Sequence, residues 1–173
     1  MSSIQDPAAV RWIPSVYRTE SLIKCSLQTA WRCLLDYPQW NPSFRGAEII
    51  AISGNPRSEG EVVLIRKPIT DVTGAPLPEF FAETVKLRPQ EQIVWYVYPK
   101  DGISFFNFVD FRIGEFGSRV KFDINYYAQD LLPIELLLRQ REEYTQFFCE
   151  LAEAFKAFCE SAAPEGPSGA LQS

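Results

Sequence analysis

From about residue 46 to residue 128 apolar residues recur at every second position, in six successive runs: GAEIIAIS, EVVLIRK, EFFAETVKL, QIVWYVY, SFFNFVDFRI and SRVKFDINYYAQ. Period two is the signature of strands with one buried face. The connections SGNPRSEG, RPQE, PKDG and GEFG are short and carry turn residues, which suits antiparallel neighbours, since parallel strands need long crossovers. The longer PITDVTGAPLP stretch reads as a loop placed to border a cavity mouth.

Ahead of this meander, VYRTESLIKC reads as a strand from Val16 to Cys25 with Ile23 and Cys25 on one face. Ser26 is an N-cap candidate for a helix from Leu27 to Asp36, with Trp31, Leu34 and Leu35 on its apolar side. Pro38 and Pro42 break that helix and leave the short bend DYPQWNP. Beyond Leu131, LLPIELLLRQREEYTQFFCELAEAFKAFCE places Ile134, Leu137, Leu138, Arg141, Tyr144, Phe148, Leu151, Phe155 and Phe158 near one helical stripe.

This order predicts an α+β fold, a curved seven-stranded antiparallel sheet wrapped around a long C-terminal helix, with two short helices after strand 1. The long helix is the one element able to cover the sheet's inner face. At about 30 residues and roughly 45 Å it leaves a gap wherever the sheet curves more widely than the helix. The expected division is an N-terminal arm over 1–14, one ligand-binding domain over 15–161 and a disordered tail over 162–173, with no internal repeat or linker.

Composition narrows the function. At 173 residues and 46% hydrophobic the chain suits a single core, and its 14% aromatic content suits a filled core or a pocket for a ring-bearing or greasy ligand. A net charge of −5 gives no basic footprint for nucleic acid or for an anionic membrane surface. No run approaches the ~20 apolar residues of a bilayer span, and MSSIQDPAAV lacks the features of a secretion signal, so a cytoplasmic protein is expected. Cys25, Cys33, Cys149 and Cys159 lack paired spacing, and the chain has no histidine, which argues against a zinc site and removes every Ser-His-Asp or Cys-His arrangement. No cofactor or metal is implied. The cysteines read as structural, having no base to activate a thiolate.

The run IKCSLQTAWRCLLDYPQWNPSF resembles the opening of the START-like superfamily, also called SRPBCC or helix-grip: first strand, small capping residue, Trp-bearing helix, then Asp36 and the bend of Trp40, Asn41 and Pro42. VKLRPQEQIVWY is similar to that family's hairpin, in which a Trp-containing strand follows a short turn. The resemblance covers nearly the whole chain and reaches the birch-pollen-allergen proteins and the polyketide cyclase/dehydrase family. It implies the helix-grip fold, with Trp31 and Trp40 packing the small helices under the sheet. The superfamily includes lipid and hormone carriers, aromatase/cyclases and condensing enzymes, so the fold alone does not choose among them.

Strand parity picks the residues expected to face the cavity. The last strand turns Val120, Phe122, Ile124 and Tyr126 inward and Lys121, Asp123 and Asn125 outward; the one before turns Phe105, Asn107, Val109, Phe111 and Ile113 inward, leaving Asp110 and Arg112 outside. In EFFAETVKL, placing Val85 and Leu87 inward brings Phe81 and Glu83 with them, which makes Glu83 the leading pocket carboxylate, its pKa raised by burial. A bulge or a rim position would instead leave Glu83 solvated or paired with an arginine. Arg141 interrupts the helix stripe and suits a ligand oxygen or Glu83, unless it extends along the helix edge toward Glu142 or Glu143. Trp95 is expected inward, with Tyr96 and Tyr98 outward, either as core or as a ligand platform. Asn107 and Tyr126 suit a substrate carbonyl or phenol, or a structural water. The orientation of Arg66 and Lys67 stays open.

The candidate catalytic set is therefore Glu83, Arg141 and Tyr126, and the candidate ligand-binding set Trp95, Phe105, Asn107, Phe122, Tyr144 and Phe148. The first function expected is binding of a small, largely apolar, polyketide-like or aromatic metabolite with a cofactor-free cyclisation or dehydration step in secondary metabolism; the family resemblance favours this lyase- or isomerase-like enzyme. The alternatives are a non-catalytic carrier or sensor and an interaction module whose aromatics fill the cavity. A monomer or homodimer fits either way.

Overall fold

The computed structural model describes residues 17–44, 46–66, 79–100, 107–128 and 141–162. The expected N-terminal arm, the tail beyond Ala162, the 68–78 loop and the helical residues before Arg141 lie outside them, and Ala162, the expected first residue of the tail, is instead the last residue of the C-terminal helix. Seven strands, β1 (Tyr17–Ile23), β2 (Glu48–Ser53), β3 (Val62–Arg66), β4 (Phe80–Arg88), β5 (Gln92–Pro99), β6 (Asn107–Phe116) and β7 (Arg119–Ala128), form one antiparallel sheet in the order β1-β7-β6-β5-β4-β3-β2. The sheet is curved and unclosed. Consecutive strands from β2 to β7 are neighbours, as the short turns require, and β1 returns to the far edge beside β7.

Between β1 and β2 lie α1 (Leu27–Leu35), the single turn α2 (Tyr37–Trp40) and a 3-10 turn over Pro42–Phe44. The Ser26 hydroxyl accepts from the Thr29 N–H at 3.1 Å, closing the N-terminus of α1 as its sequence predicts. The Asp36 N–H donates to the Cys33 carbonyl and ends the helix, and Pro38 sits in the first turn of α2, where its missing N–H costs nothing. Helix α3 (Arg141–Ala162) lies on the inner face, packed against β1, α1, α2 and β7. Among the described residues no helix is long and apolar enough to cross a membrane.

The core is a cluster of rings. Trp40 lies 4.8 Å from Phe155 and edge-on to Phe111 and Phe122, while Phe122 lies 4.2 Å from Phe155. The Trp40 indole N–H donates to the Cys33 carbonyl at 2.8 Å, so α1, α2, the sheet and α3 meet at one side chain. Trp31 is only partly buried against this cluster. Hydrophobic burial of such large side chains, about 25 cal/mol per Å², is the main term holding helix to sheet.

Candidate functional site

Cross-strand register decides which side chains face α3. Trp95 is buried and meets Tyr37 at 4.7 Å and Phe111 at 5.0 Å, which fixes its face as the inner one. Thr84 pairs with Trp95, Trp95 with Val109, and Val109 with Tyr126. The Thr84 N–H donates to the Glu61 carbonyl at 2.9 Å and the Gly60 N–H to the Thr84 carbonyl at 2.8 Å, extending the row one residue past β3. One inner row therefore runs Glu61, Thr84, Trp95, Val109, Tyr126, with polar groups at its two ends and apolar ones between. A Cβ at Gly54 would run into the backbone of Gly60 and Glu61, and its φ of +80° is one that glycine adopts freely; both features keep the β2–β3 loop tight enough to hold Glu61 in line.

Glu83 is on the other face, contrary to the parity expectation. Lys86 pairs with Val94 although Thr84 pairs with Trp95, so β4 carries one extra residue at Val85 and its parity reverses there. Leu87 shares a register position with inward Ile93, as expected, but Ala82 and Thr84 are the inward residues before the bulge, and Phe81 and Glu83 point to the convex side. Glu83 lies beside Tyr96 and Tyr98, whose phenols are pushed above the usual tyrosine range first by burial and then by neighbouring charge, that of Glu83 included. The expectation of an inward Glu83 buried in the pocket falls with its orientation.

The remaining parity expectations can be read strand by strand. Val120, Phe122, Ile124 and Tyr126 are buried on β7, and Phe111 and Ile113 on β6. Phe122 has no exposed surface and forms part of the floor, stacked on Phe111 and tilted against Phe155. Asn107 pairs with Val97 and Ala128, a register position of the inner face; its side chain and those of Arg141 and Tyr144 lie outside the described ones, as does Phe105 altogether. Arg66 is exposed, 2.9 Å from Glu48 and 2.5 Å from Glu79, so it belongs to the rim; Lys67 is outside the described residues.

Packing along the inner face is uneven. At the α1 and α2 end Phe111 and Ile113 of β6 and Val120, Phe122 and Ile124 of β7 are buried. At the other end Val97 and Val109 are only half-buried, next to Tyr126 and Phe148, whose rings lie 5.1 Å apart. The structure thus brings together Trp95, Tyr126 and Phe148 of the expected set around two accessible valines. Val97 and Val109 are the residues that sequence reasoning did not single out; their strand parity was legible, and their residual exposure was not.

Beyond Trp95, a pocket of about 10 Å³ is lined by Tyr37, Phe44, Glu61, Val63, Ala82, Thr84 and Trp95, room for about one water or one ligand oxygen. Burial, with the Glu61 carboxylate adding to it, pushes the Tyr37 phenol up to about 12, so Tyr37 is a hydrogen-bond donor at neutral pH. Arg57 approaches the same corner: its N–H donates to Glu61 Oε2 at 2.8 Å and its guanidinium lies 3.6 Å from Asp36. Tyr37, Glu61 and Thr84 were not among the expected site residues. The sequence placed Tyr37 only in the bend after the first helix, whereas Glu61 and Thr84 depend on the bulge.

No family model matches the sequence, and no curated protein matches it. Solved structures share its fold. The di-domain ARO/CYC StfQ from the steffimycin biosynthetic pathway superposes with a TM-score of 0.63 over 84% of this chain and 50% of its own, at 11% identity. A Thalictrum norcoclaurine synthase point mutant, in complex with a transition-state analogue, gives 0.61 over 88% and 98% at 13% identity. The major latex-like protein 151 of Panax ginseng gives 0.57 over 82% and 95% at 12% identity. The chain spans half the length of StfQ and nearly the whole of the other two. At these identities the likeness is one of fold, and the chain has the helix-grip fold that its opening motif resembles.

Proposed function

We propose that this protein binds a small, largely apolar, ring-bearing metabolite, polyketide-like or aromatic, between α3 and the concave face of the sheet. The observation that carries this is the incomplete packing at Val97 and Val109, where apolar surface remains accessible beside Tyr126 and Phe148 while Trp95, Phe111, Phe122 and Phe155 close the neighbouring part of the inner face with rings. Apolar walls with a few hydroxyl groups suit a flat ligand held by shape and oriented by one or two hydrogen bonds. Trp95 and Phe122 support the walls, and Asn107, Phe105 and Tyr144 are proposed to complete them. Neighbours in fold named for cyclisation and synthase chemistry, and a latex-like protein, are compatible with this reading.

A finer reading adds chemistry, a cofactor-free cyclisation or dehydration in which the protein holds a reactive chain in a folded shape. Positioning contributes much of the rate in such reactions, and hydroxyl donors stabilise a developing enolate. Here Tyr126 is the inner-face hydroxyl beside the two valines and Arg141, two turns before Phe148 along α3, the proposed cation. Glu61 beside Tyr37 replaces Glu83 as the proposed carboxylate, because it stands on the inner row.

Purified protein is incubated with a metabolite extract, recovered, and its retained small molecules identified by mass spectrometry. A retained aromatic compound, lost in Val109→Trp and kept in Glu83→Gln, supports the binding site; a time-dependent mass change of that compound, lost in Glu61→Gln, supports the enzyme. Retention of nothing, or retention that Val109→Trp leaves untouched, rejects the reading.

A further inference from the structure

Three cysteines from three separate elements meet at the end of the molecule away from the half-buried valines. Cys159 on α3 is fully buried and Cys33 on α1 is 3% exposed, while Cys25, just after β1, reaches solvent in part. The Cys159 thiol lies within hydrogen-bonding reach of both Cys25 and Cys33. An adjacent bond holds the same two segments together: the Lys24 N–H donates to Glu160 Oε1 at 2.9 Å. The residue before Cys25 and the residue after Cys159 are thus joined directly.

We propose that Cys25 and Cys159 are a disulfide-forming pair, joined when the protein meets a small-molecule disulfide as oxidant. The Cys25 sulfur, the one that solvent reaches, attacks the oxidant's S–S bond and expels one small thiol, leaving a mixed disulfide on Cys25. The Cys159 sulfur then attacks the Cys25 sulfur and expels the second small thiol. Two protein thiols lose two electrons and their protons, and one small disulfide becomes two thiols. Burial holds all three protein thiols above the ordinary thiol range, Cys159 furthest, so thiolate is scarce and the exchange is slow. Contact between the thiols, rather than their acidity, drives the second step.

The product would tie the end of β1 to the last turns of α3 and close a loop containing most of the chain, the arrangement in which a cross-link restricts the unfolded state most. Cys33 remains reduced beside it. Cys149, exposed on α3, takes no part in the trio.

The full chain is equilibrated with oxidised glutathione, blocked with an alkylating agent, and digested without reduction. The expected result is a linked peptide pair containing Cys25 and Cys159, formed equally in Cys33→Ser and absent in Cys25→Ser, with the oxidised wild type melting about 5 °C or more above the reduced protein. A wild type that carries only glutathione adducts, or that links Cys33 to Cys159, overturns the proposal, and the wild-type peptide map decides this even where a serine variant fails to fold.

Discussion

Thr84 stands opposite Trp95 across the β4–β5 ladder, while Lys86, two residues on, stands opposite Val94, only one residue from Trp95. The extra residue, Val85, reverses the parity of β4. It turns Thr84 toward α3 and sends Glu83 to the convex face beside Tyr96 and Tyr98.

Glu83→Gln is therefore expected to be nearly silent. Removing one charge from a half-buried convex position changes stability by no more than about 0.5 kcal/mol and leaves ligand binding unchanged. Urea unfolding and a binding titration check the two halves of this statement separately.

On the same convex face Asp110 is 3% exposed, accepting from Gln92 Nε2 at 2.7 Å and facing the Arg112 guanidinium at 2.7 Å. Asp110→Ala strands buried Gln92 and removes a charge partner that Arg112, itself half in solvent, partly replaces with water. A loss of about 2 kcal/mol is expected, with Asp110→Asn costing less because an acceptor for Gln92 remains.

Trp40 joins a ring cluster and one hydrogen bond, and the two can be separated. Trp40→Phe keeps an aromatic ring but loses the bond to the Cys33 carbonyl, which still accepts from the Asp36 N–H. About 1–2 kcal/mol is expected. Trp40→Ala also opens a cavity against Phe155 and costs about 3–5 kcal/mol.

Alkaline stability reports on Tyr37. Its phenol titrates near 10 in the unfolded chain and at about 12 in the fold. Between those values the folded state holds a proton that the unfolded state has lost, so this stabilising contribution is whole below pH 10 and disappears as pH rises through 12. The slope of stability against pH in that window is negative, and Tyr37→Phe is expected to make it shallower. Denaturant midpoints measured across the window decide it.

Much of this was legible in the chain. Period two in β6 and β7 predicted the buried inward residues Phe111, Ile113, Val120, Phe122, Ile124 and Tyr126, because one face of each strand is buried and the other bears Lys121, Asp123 and Arg112. The capping hydroxyl of Ser26 and the Pro38 and Pro42 breaks gave α1 and the bend for local reasons that need no tertiary context. Glu83 was misplaced because a bulge changes register without changing composition: EFFAETVKL alternates acceptably in either frame. The pocket at Tyr37, Glu61 and Thr84 depends on that bulge and on a loop hydrogen bond, both long-range features. Val97 and Val109 matter for what fails to cover them, a property that no residue's own identity encodes.

Val97, Val109, Tyr126 and Phe148 form the proposed apolar ligand site. Calorimetric titration with naphthol tests it most directly, comparing wild type with Val109→Trp, whose indole fills that end of the inner face, and with Glu83→Gln. Saturable one-to-one binding that weakens by about tenfold or more in Val109→Trp, a loss of roughly 1.4 kcal/mol, and is unchanged in Glu83→Gln is the predicted result. Binding that survives Val109→Trp intact, or that is lost in Glu83→Gln alone, would contradict the site and return the convex face to consideration.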